Sequence, residues 1–349
     1  MERRMKQYNL AFLGFGNVGR ALARLLVAKS VELREQYGIE WRITGVASRS
    51  LGWLTKDGAN AAEGFDPGSL LSAQTLKESA VSSAGIDGWL RQSQPDVVFE
   101  TTSLNHETGQ PAIDYLRATL EAGAHAITAN KGVIVHGFSI LSELSQAAGK
   151  RLFFESTVLD SAPVFSLFRE TLPAAKLRGF SGAFSSTTNV IIETMEAGRS
   201  FEEGLKTAQD LGVAETDPSH DVDGWDATVK VCAIANVLMG VKLRPIDVAR
   251  EGIRGLDARK VQAARTAGAP FKLMARARLG RDGDLVATVR PEQVPISDPL
   301  GNIRGTSLGV HFELDMMPGL TITSHRPNLQ STAYGMLADF INAVRTDRP

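Results

Sequence analysis

The sequence predicts a mixed α/β protein in which an N-terminal, doubly wound parallel sheet is followed by a C-terminal α+β region. Three observations predict it. Over residues 1–150, short apolar runs alternate with segments of helical spacing, as a parallel sheet with helical crossovers requires. A glycine hexad, Gly14-Phe15-Gly16-Asn17-Val18-Gly19, lies between the first such strand and the first such helix. From about Arg151 the pattern changes, and Leu285–Thr323 alternates apolar and polar residues between Pro and Gly turns, the mark of antiparallel strands.

Leu10–Leu13 reads as the first strand and Val18–Ala28, with Ala and Leu at helical spacing, as the helix after the glycine turn. Trp41–Ala47 reads as a second strand ending in Ser48-Arg49-Ser50, followed by short helices near Ser69–Ser79 and Ile86–Gln92. Pro95–Glu100 is a buried-type strand, and Pro111–Ala122 is a helix closed by Gly123. Ala124–Thr128 makes the next strand, Ala129–Gly132 its turn and Ile140–Ala148 a helix. Beyond this, Leu152–Thr157 reads as a strand, Pro163–Thr171 as a helix, and Leu177–Phe184 as a strand ending in Ser185-Ser186-Thr187-Thr188-Asn189. Val190–Ala197, Phe201–Leu211, Trp225–Met239 and Ser331–Val344 have helical patterns. The expected organisation is a dinucleotide-type domain over 1–150, a second domain over 151–323, and a helix within 324–349 packing back on the first.

At 349 residues the chain exceeds the size at which one core keeps growing, which favours two domains. With 43% apolar and 22% charged residues, it has ordinary globular composition. A net charge of −1 offers no attraction to nucleic acid or an anionic membrane. The single cysteine, Cys232, excludes an intramolecular disulfide, and no histidine spacing suggests zinc. Leu10–Phe15 is too short for a signal segment, so the chain reads as cytoplasmic.

The glycine hexad in a strand–turn–helix context is the Rossmann fingerprint. Gly14 permits the tight turn, Gly16 lets backbone approach a pyrophosphate, and Gly19 allows the helix to pack closely on the strand. In this type of sheet the ligand crevice lies beyond the carboxyl ends of the strands, where Arg49, Thr101-Thr102-Ser103 and Asn130-Lys131 also fall. Arg49 stands where an NAD-preferring unit places a carboxylate, so it is either a partner for a 2′-phosphate, favouring NADP, or a solvated arginine. Lys56 has the same two readings.

Glu215 through Asp226 carries five carboxylates, Glu215, Asp217, Asp221, Asp223 and Asp226, just before the apolar helix that bears Lys230. The block reads either as a helix-capping loop or as part of a cleft. Asp226 and Lys230 are four residues apart and share a helix face, as a surface ion pair or as a proton donor kept charged by carboxylates. His220 reads as a loop residue rather than a base.

The chain resembles the homoserine dehydrogenase family over most of its length. The matching stretches are Gly14 to Gly19, Thr128-Ala129-Asn130-Lys131-Gly132, Glu155 through Val158 with Pro163, Thr187-Thr188-Asn189, Ala208 through Gly212, Glu215 through Lys230, and Ser331-Thr332-Ala333-Tyr334-Gly335. The resemblance implies a Rossmann domain followed by a catalytic and dimerisation domain. It also implies reversible NAD(P)-dependent reduction of aspartate semialdehyde to homoserine, on the route to threonine and methionine, by a homodimer. It makes Lys230 and Lys131 the catalytic lysines and Glu215, Asp221, Asp226 and Thr187 substrate ligands. Gly14, Phe15, Gly16, Asn17, Val18, Gly19, Arg49, Thr102, Ser103, Lys131 and Gly212 become cofactor contacts. A Na+ or K+ site would correspond to Glu155, Val158, Asp160 and Ala162.

Three segments depart from the family pattern. Leu159-Asp160-Ser161-Ala162 replaces a run rich in small, flexible residues and adds a charge, which works against cation binding. Ser324 through Gln330 replaces a glycine-rich turn with bulky His325 and Arg326. Ser181–Ser186 places Phe184 where small residues are usual. These departures leave room for a relative acting on another small amino or hydroxy acid, or for a cofactor-binding sensor without turnover. Retention of both lysines speaks against the sensor.

Overall fold

The computed structural model describes residues 5–56, 64–66, 76, 80–280 and 282–345. It is mixed α/β, and the chain divides into two units, one comprising Met1–Thr157 with Asn328–Pro349 and the other Val158–Pro327.

The first unit is built on a seven-stranded sheet. In chain order its strands are β1 (Lys6–Leu13), β2 (Ile39–Ser48), β3 (Gly52–Lys56), β4 (Ala80–Ser82), β5 (Val97–Glu100), β6 (His125–Thr128) and β7 (Leu152–Phe153). Their spatial order is β4-β3-β2-β1-β5-β6-β7. The five strands β2, β1, β5, β6 and β7 run parallel, while β3 and β4 add an antiparallel edge. β1 lies between β2 and β5, so Leu10–Leu13 is buried on both faces, which is why the run is continuously apolar. The order reverses between β1 and β5, and that reversal puts the crevice of a doubly wound sheet at their carboxyl ends.

Helix Asn17–Ala28 follows the glycine turn and buries Gly19, Leu22, Ala23 and Leu26. On the same side, the last helix of the chain, Leu329–Val344, joins the core of this unit. Phe340 meets the rings of Phe99 and Tyr8, each at 6.0 Å, and the Tyr8 hydroxyl donates to the Val344 carbonyl at 3.3 Å. Fully burying side chains of this size stabilises by about 1.5–3 kcal/mol each, so the helix is integral to the unit.

Several elements differ from the sequence expectation. The helix placed at Ile140–Ala148 starts at Lys131, making Lys131 its first residue rather than part of a turn. β-branched Val133, Ile134 and Val135 argue locally against helix, but Val133 and Ile134 are fully buried, and tertiary burial overrides propensity. The strand expected over Leu152–Thr157 stops at Phe153, and Glu155–Thr157 is a 3₁₀ turn. Helix Ser30–Tyr37 and the antiparallel β3–β4 edge are absent from the sequence expectation. The helix expected near Ser69–Ser79 lies outside the described residues apart from Leu76.

The second unit centres on a six-stranded sheet. Its strands are β8 (Leu177–Ala183), β9 (Ala249–Arg250), β10 (Phe271–Leu279), β11 (Leu285–Gln293), β12 (Leu308–Leu314) and β13 (Leu320–Ser324), in spatial order β13-β12-β8-β10-β11-β9. All its pairings are antiparallel except β11 with β9. β11, β12 and β13 match the predicted Leu285–Thr323 segment to within one residue, whereas β10 and helix Ala258–Thr266 are absent from the sequence expectation. Helix Trp225–Leu238 packs against β10 and β11, and every residue from Ala227 to Asn236 is buried, including Lys230. No described helix is long and apolar enough to cross a membrane.

Candidate active site

In the first unit the glycine turn is shaped by the strand beside it. Gly14 has φ +84°, and a Cβ there would lie 2.5 Å from the Thr101 carbonyl carbon and 2.7 Å from the Thr102 nitrogen. Only glycine fits both the angle and the space. A Cβ at Gly19 would lie 2.9 Å from the Gly14 carbonyl oxygen, so helix and turn are in direct backbone contact. At Gly16 the situation is opposite, with no protein atom within 4 Å of a Cβ. Gly16 caps helix Asn17–Ala28 without a side-chain hydrogen bond, and the first turn holds no acidic residue.

These residues fit a dinucleotide. The exposed positions Gly16 and Asn17 carry the positive end of the helix dipole, and nothing in the turn opposes an anion. Phe15, in contrast, turns inward, edge-to-face with Phe12 at 5.4 Å, so only its backbone is available to a ligand. The Arg49 Nη2 donates to the Ser103 hydroxyl at 3.3 Å, bringing the ends of β2 and β5 together at the surface.

Lys131 opens its helix immediately after Asn130, whose Oδ1 accepts the Gly132 amide at 3.1 Å and caps the helix. A Cβ at Gly132 would collide with the Asn105 carbonyl, so the motif Asn-Lys-Gly is held by close packing as well as by the cap. Beneath these residues lies a group the sequence reading passed over: Glu100, fully buried at the end of β5. Its only signal was a charged residue ending the apolar run Val97-Val98-Phe99.

In the second unit the acidic block resolves into distinct roles. The Lys230 Nζ lies 2.8 Å from Asp226 Oδ2 and donates to the Phe184 carbonyl at 2.6 Å. Burial by itself pushes this ammonium's pKa down. The Asp226 charge and hydrogen bond, with the charges of Asp160 and Asp221, outweigh burial and raise it. Asp221 is joined to Thr187, whose Oγ1 lies 2.8 Å from Asp221 Oδ2 and 2.7 Å from the Val213 carbonyl. Thr187 sits in the first turn of helix Ser186–Glu196, which Ser185 caps by accepting the Thr188 amide at 3.2 Å; the sequence reading started this helix at Val190.

Two of the other carboxylates, Asp217 and Asp223, serve the fold. Asp217 accepts from Ser219 N and Oγ at 3.0 and 2.6 Å, and Asp223 pairs with Arg254 at 2.5 Å. Glu215 is exposed, and its backbone carbonyl accepts from Gln209. Gly212, at φ +71°, ends helix Phe201–Asp210. His220 is exposed on the short helix Ser219–Val222. The structure therefore gathers Lys230, Asp226, Asp221 and Thr187, and leaves Glu215 and Gly212 at the surface.

The segments that departed from the family pattern have a physical account. Phe184 is fully buried, and its ring covers the position where a Gly182 side chain would stand. Its carbonyl, not its ring, meets Lys230. Asp160 adopts φ +55° and Arg326 φ +49°, left-handed conformations that favour glycine. The Arg326 amide is tied to the Ser307 hydroxyl at 3.2 Å. Glu155 is buried, and its amide donates to Asp339 Oδ2 at 2.9 Å. Among the described residues, no group of three or more His, Cys, Asp or Glu side chains is placed to hold a metal.

Comparison with known proteins points the same way. The homoserine dehydrogenase family model matches residues 163–341, and the model of the homoserine dehydrogenase NAD binding domain matches residues 14–155. The NAD(+)-dependent homoserine dehydrogenase of Pseudomonas canavaninivorans is 31% identical over 344 residues, covering 97% of this chain and 96% of its own. The Methanocaldococcus jannaschii homoserine dehydrogenase is 30% identical, covering 97% and 99%. Among solved structures, an Archaeoglobus fulgidus protein provisionally named a homoserine dehydrogenase superposes with a TM-score of 0.83 at 31% identity, covering 96% of this chain and 98% of its own. A hyperthermophilic archaeal homoserine dehydrogenase in complex with NADPH superposes at 0.77 with 25% identity, covering 97% and 98%.

The two glycines give opposite predictions. Gly14→Ala should lower stability by more than ~2 kcal/mol, seen as a fall in Tm, because both angle and space are violated. Gly16→Ala should leave stability within about 1 kcal/mol while raising the KM for the cofactor severalfold. A pH prediction follows from Lys230. Asp226→Asn removes the group that most raises its pKa and leaves burial to lower it, so, with Lys230 as the proton donor the resemblance implies, the pH at which reduction fails should move down. A pH–rate profile for the reductive direction checks the shift; an unmoved alkaline limb would separate Asp226 from the proton donor.

Proposed function

Because the chain belongs to the homoserine dehydrogenase family, and is an NAD(P)-dependent oxidoreductase interconverting L-homoserine and L-aspartate 4-semialdehyde, we propose which residues carry that reaction and which cofactor it takes. The observation that carries the assignment is Lys230, a lysine buried in an apolar helix and kept charged by Asp226, with Asp160 and Asp221 adding to the field. A buried cation is costly unless it is paired, and these carboxylates keep Lys230 in the protonated form from which a proton can be given.

The bound nicotinamide supplies or accepts the hydride. In reduction, Lys230 gives its proton to the carbonyl oxygen as negative charge develops there, and Lys131 is the second cation aiding that oxygen. In oxidation the same oxygen returns the proton. Asp226 holds the Lys230 ammonium through a 2.8 Å ion pair, and the Phe184 carbonyl fixes its direction. Asp221, oriented by Thr187, together with Glu215 receives the substrate's α-ammonium, a group that calls for carboxylates. The backbone of Gly14–Gly19, with Thr102 and Ser103, holds the dinucleotide, and Gly212 is a further contact in this reading.

NADP is the preferred cofactor in this reading. Arg49 closes β2 where a carboxylate would favour NAD, and its exposed guanidinium is available to a 2′-phosphate. One relative is named for NAD+ and a structural neighbour holds NADPH, so the family's choice varies and this side chain is its local determinant. A Na+ or K+ ion is not part of the reading, because Asp160 serves the field around Lys230. A homodimer acting in the cytoplasm completes it.

Lys230→Ala should lower kcat for homoserine oxidation by about 10²-fold or more with cofactor affinity nearly unchanged. Wild-type turnover in that variant would overturn the proton-donor assignment. Arg49→Asp should shift the ratio of kcat/KM values from NADP toward NAD, and an unaltered ratio would make Arg49 a bystander.

A further inference from the structure

Glu100 ends a strand in which Val97, Val98, Phe99 and Glu100 itself are all completely buried. An apolar residue would fill the place more cheaply, since a buried carboxylate is tolerated only when its lone pairs are occupied. They are. Glu100 Oε1 accepts the Thr102 amide at 2.7 Å and the Thr102 hydroxyl at 2.5 Å, and Oε2 accepts the Thr128 hydroxyl at 2.5 Å. The Thr128 oxygen then accepts the Asn130 amide at 2.9 Å, and Asn130 Oδ1 accepts the Gly132 amide at 3.1 Å. Lys131 lies between those last two residues. Thr101, between Glu100 and Thr102, donates its hydroxyl to the Gly14 carbonyl at 2.9 Å. One carboxylate thus joins the exits of β5 and β6, and its neighbour in the chain joins the glycine turn to the same point.

We propose that Glu100 is a positioning residue for hydride transfer, which through Thr128 and Asn130 fixes the turn presenting Lys131 and through Thr102 fixes the loop beside the glycine turn. The inference rests on Lys131 aiding the carbonyl oxygen, as read above. Burial raises the Glu100 carboxyl pKa above the ordinary carboxylate range, and the hydrogen bonds from Thr102 and Thr128, with the nearby Asn130 amide, offset that rise only in part. The Asn130 Nδ2 itself is buried and makes no hydrogen bond of normal geometry among the described residues.

Replacing the carboxylate by an amide keeps the shape and breaks the pattern. Gln offers donors on one side, so either the Thr102 groups or the Thr128 hydroxyl lose their acceptor. Steady-state homoserine oxidation by the full-length enzyme tests the proposal with Glu100→Gln, Thr128→Val, Thr128→Ser, Lys131→Ala and the double variant Glu100→Gln/Lys131→Ala. Expected are a fall in kcat of about tenfold or more for Glu100→Gln with the homoserine KM within about threefold, and less than about threefold further loss when it is added to Lys131→Ala. Thr128→Val should lower kcat in the same direction, and Thr128→Ser, which keeps the hydroxyl, should restore it. If Glu100→Gln does not fold, the Val and Ser pair decides alone. The proposal is overturned if Lys131→Ala is impaired while Glu100→Gln, or Thr128→Val where Glu100→Gln is unfolded, turns over like wild type, or if the losses of Glu100 and Lys131 multiply. Full turnover by Lys131→Ala would remove the role of Lys131 and this inference with it, so the two failures are told apart.

Discussion

The approach of the Gly14 backbone to that of Thr101 is the constraint on which the cofactor end of the first unit depends. It closes the space a side chain would need, and so sets how near the exits of β1 and β5 come. From that contact the other features follow. The helix after Gly14 starts at a fixed angle because Gly19 rests on the turn, and its amino end is left facing the crevice with room at Gly16. The residues after Thr101 are drawn toward Glu100, and the same carboxylate reaches across to β6. A glycine turn that is generic in sequence becomes specific through what lies against it.

Charge is handled by the same economy in both units. Glu100 and Lys230 are each withdrawn from water, and each is surrounded by groups of the right kind: hydroxyls and amides for the carboxylate, carboxylates and a carbonyl for the ammonium. Removing Asp226 from its pair with Lys230 costs about 3–5 kcal/mol, because the remaining charge stays buried. The acidic loop before Lys230 shows how unevenly such work is shared. Asp226 and Asp221 serve the lysine, while Asp217 and Asp223 cap and tether the backbone that carries them.

The doubly wound sheet was legible in the sequence because its signals are local: an apolar run, a glycine turn, an amphipathic helix. Lys230 with Asp226 was legible for the same reason, being one helical turn apart. Glu100 was not, since its partner Thr128 meets it only when β5 and β6 pair. The start of the Lys131 helix was missed because its β-branched residues have poor helix propensity and are stabilised by burial that no local pattern reveals. Phe184 stands where the family has small residues, yet the missing side chain of Gly182 gives its ring a place inside the core.

The return of helix Leu329–Val344 to the first unit has a consequence for synthesis. Phe99 and Tyr8 emerge from the ribosome early, but the Phe340 that covers them is made only after the whole of residues 158–327. At translation rates of ~5–20 residues per second, that interval is roughly ten to thirty seconds. During it the nascent first unit presents an uncovered apolar flank, while the second unit can close on its own contiguous segment. Order of completion is therefore the reverse of order of synthesis, and a stop codon before Phe340 would leave the earliest-made unit unfinished.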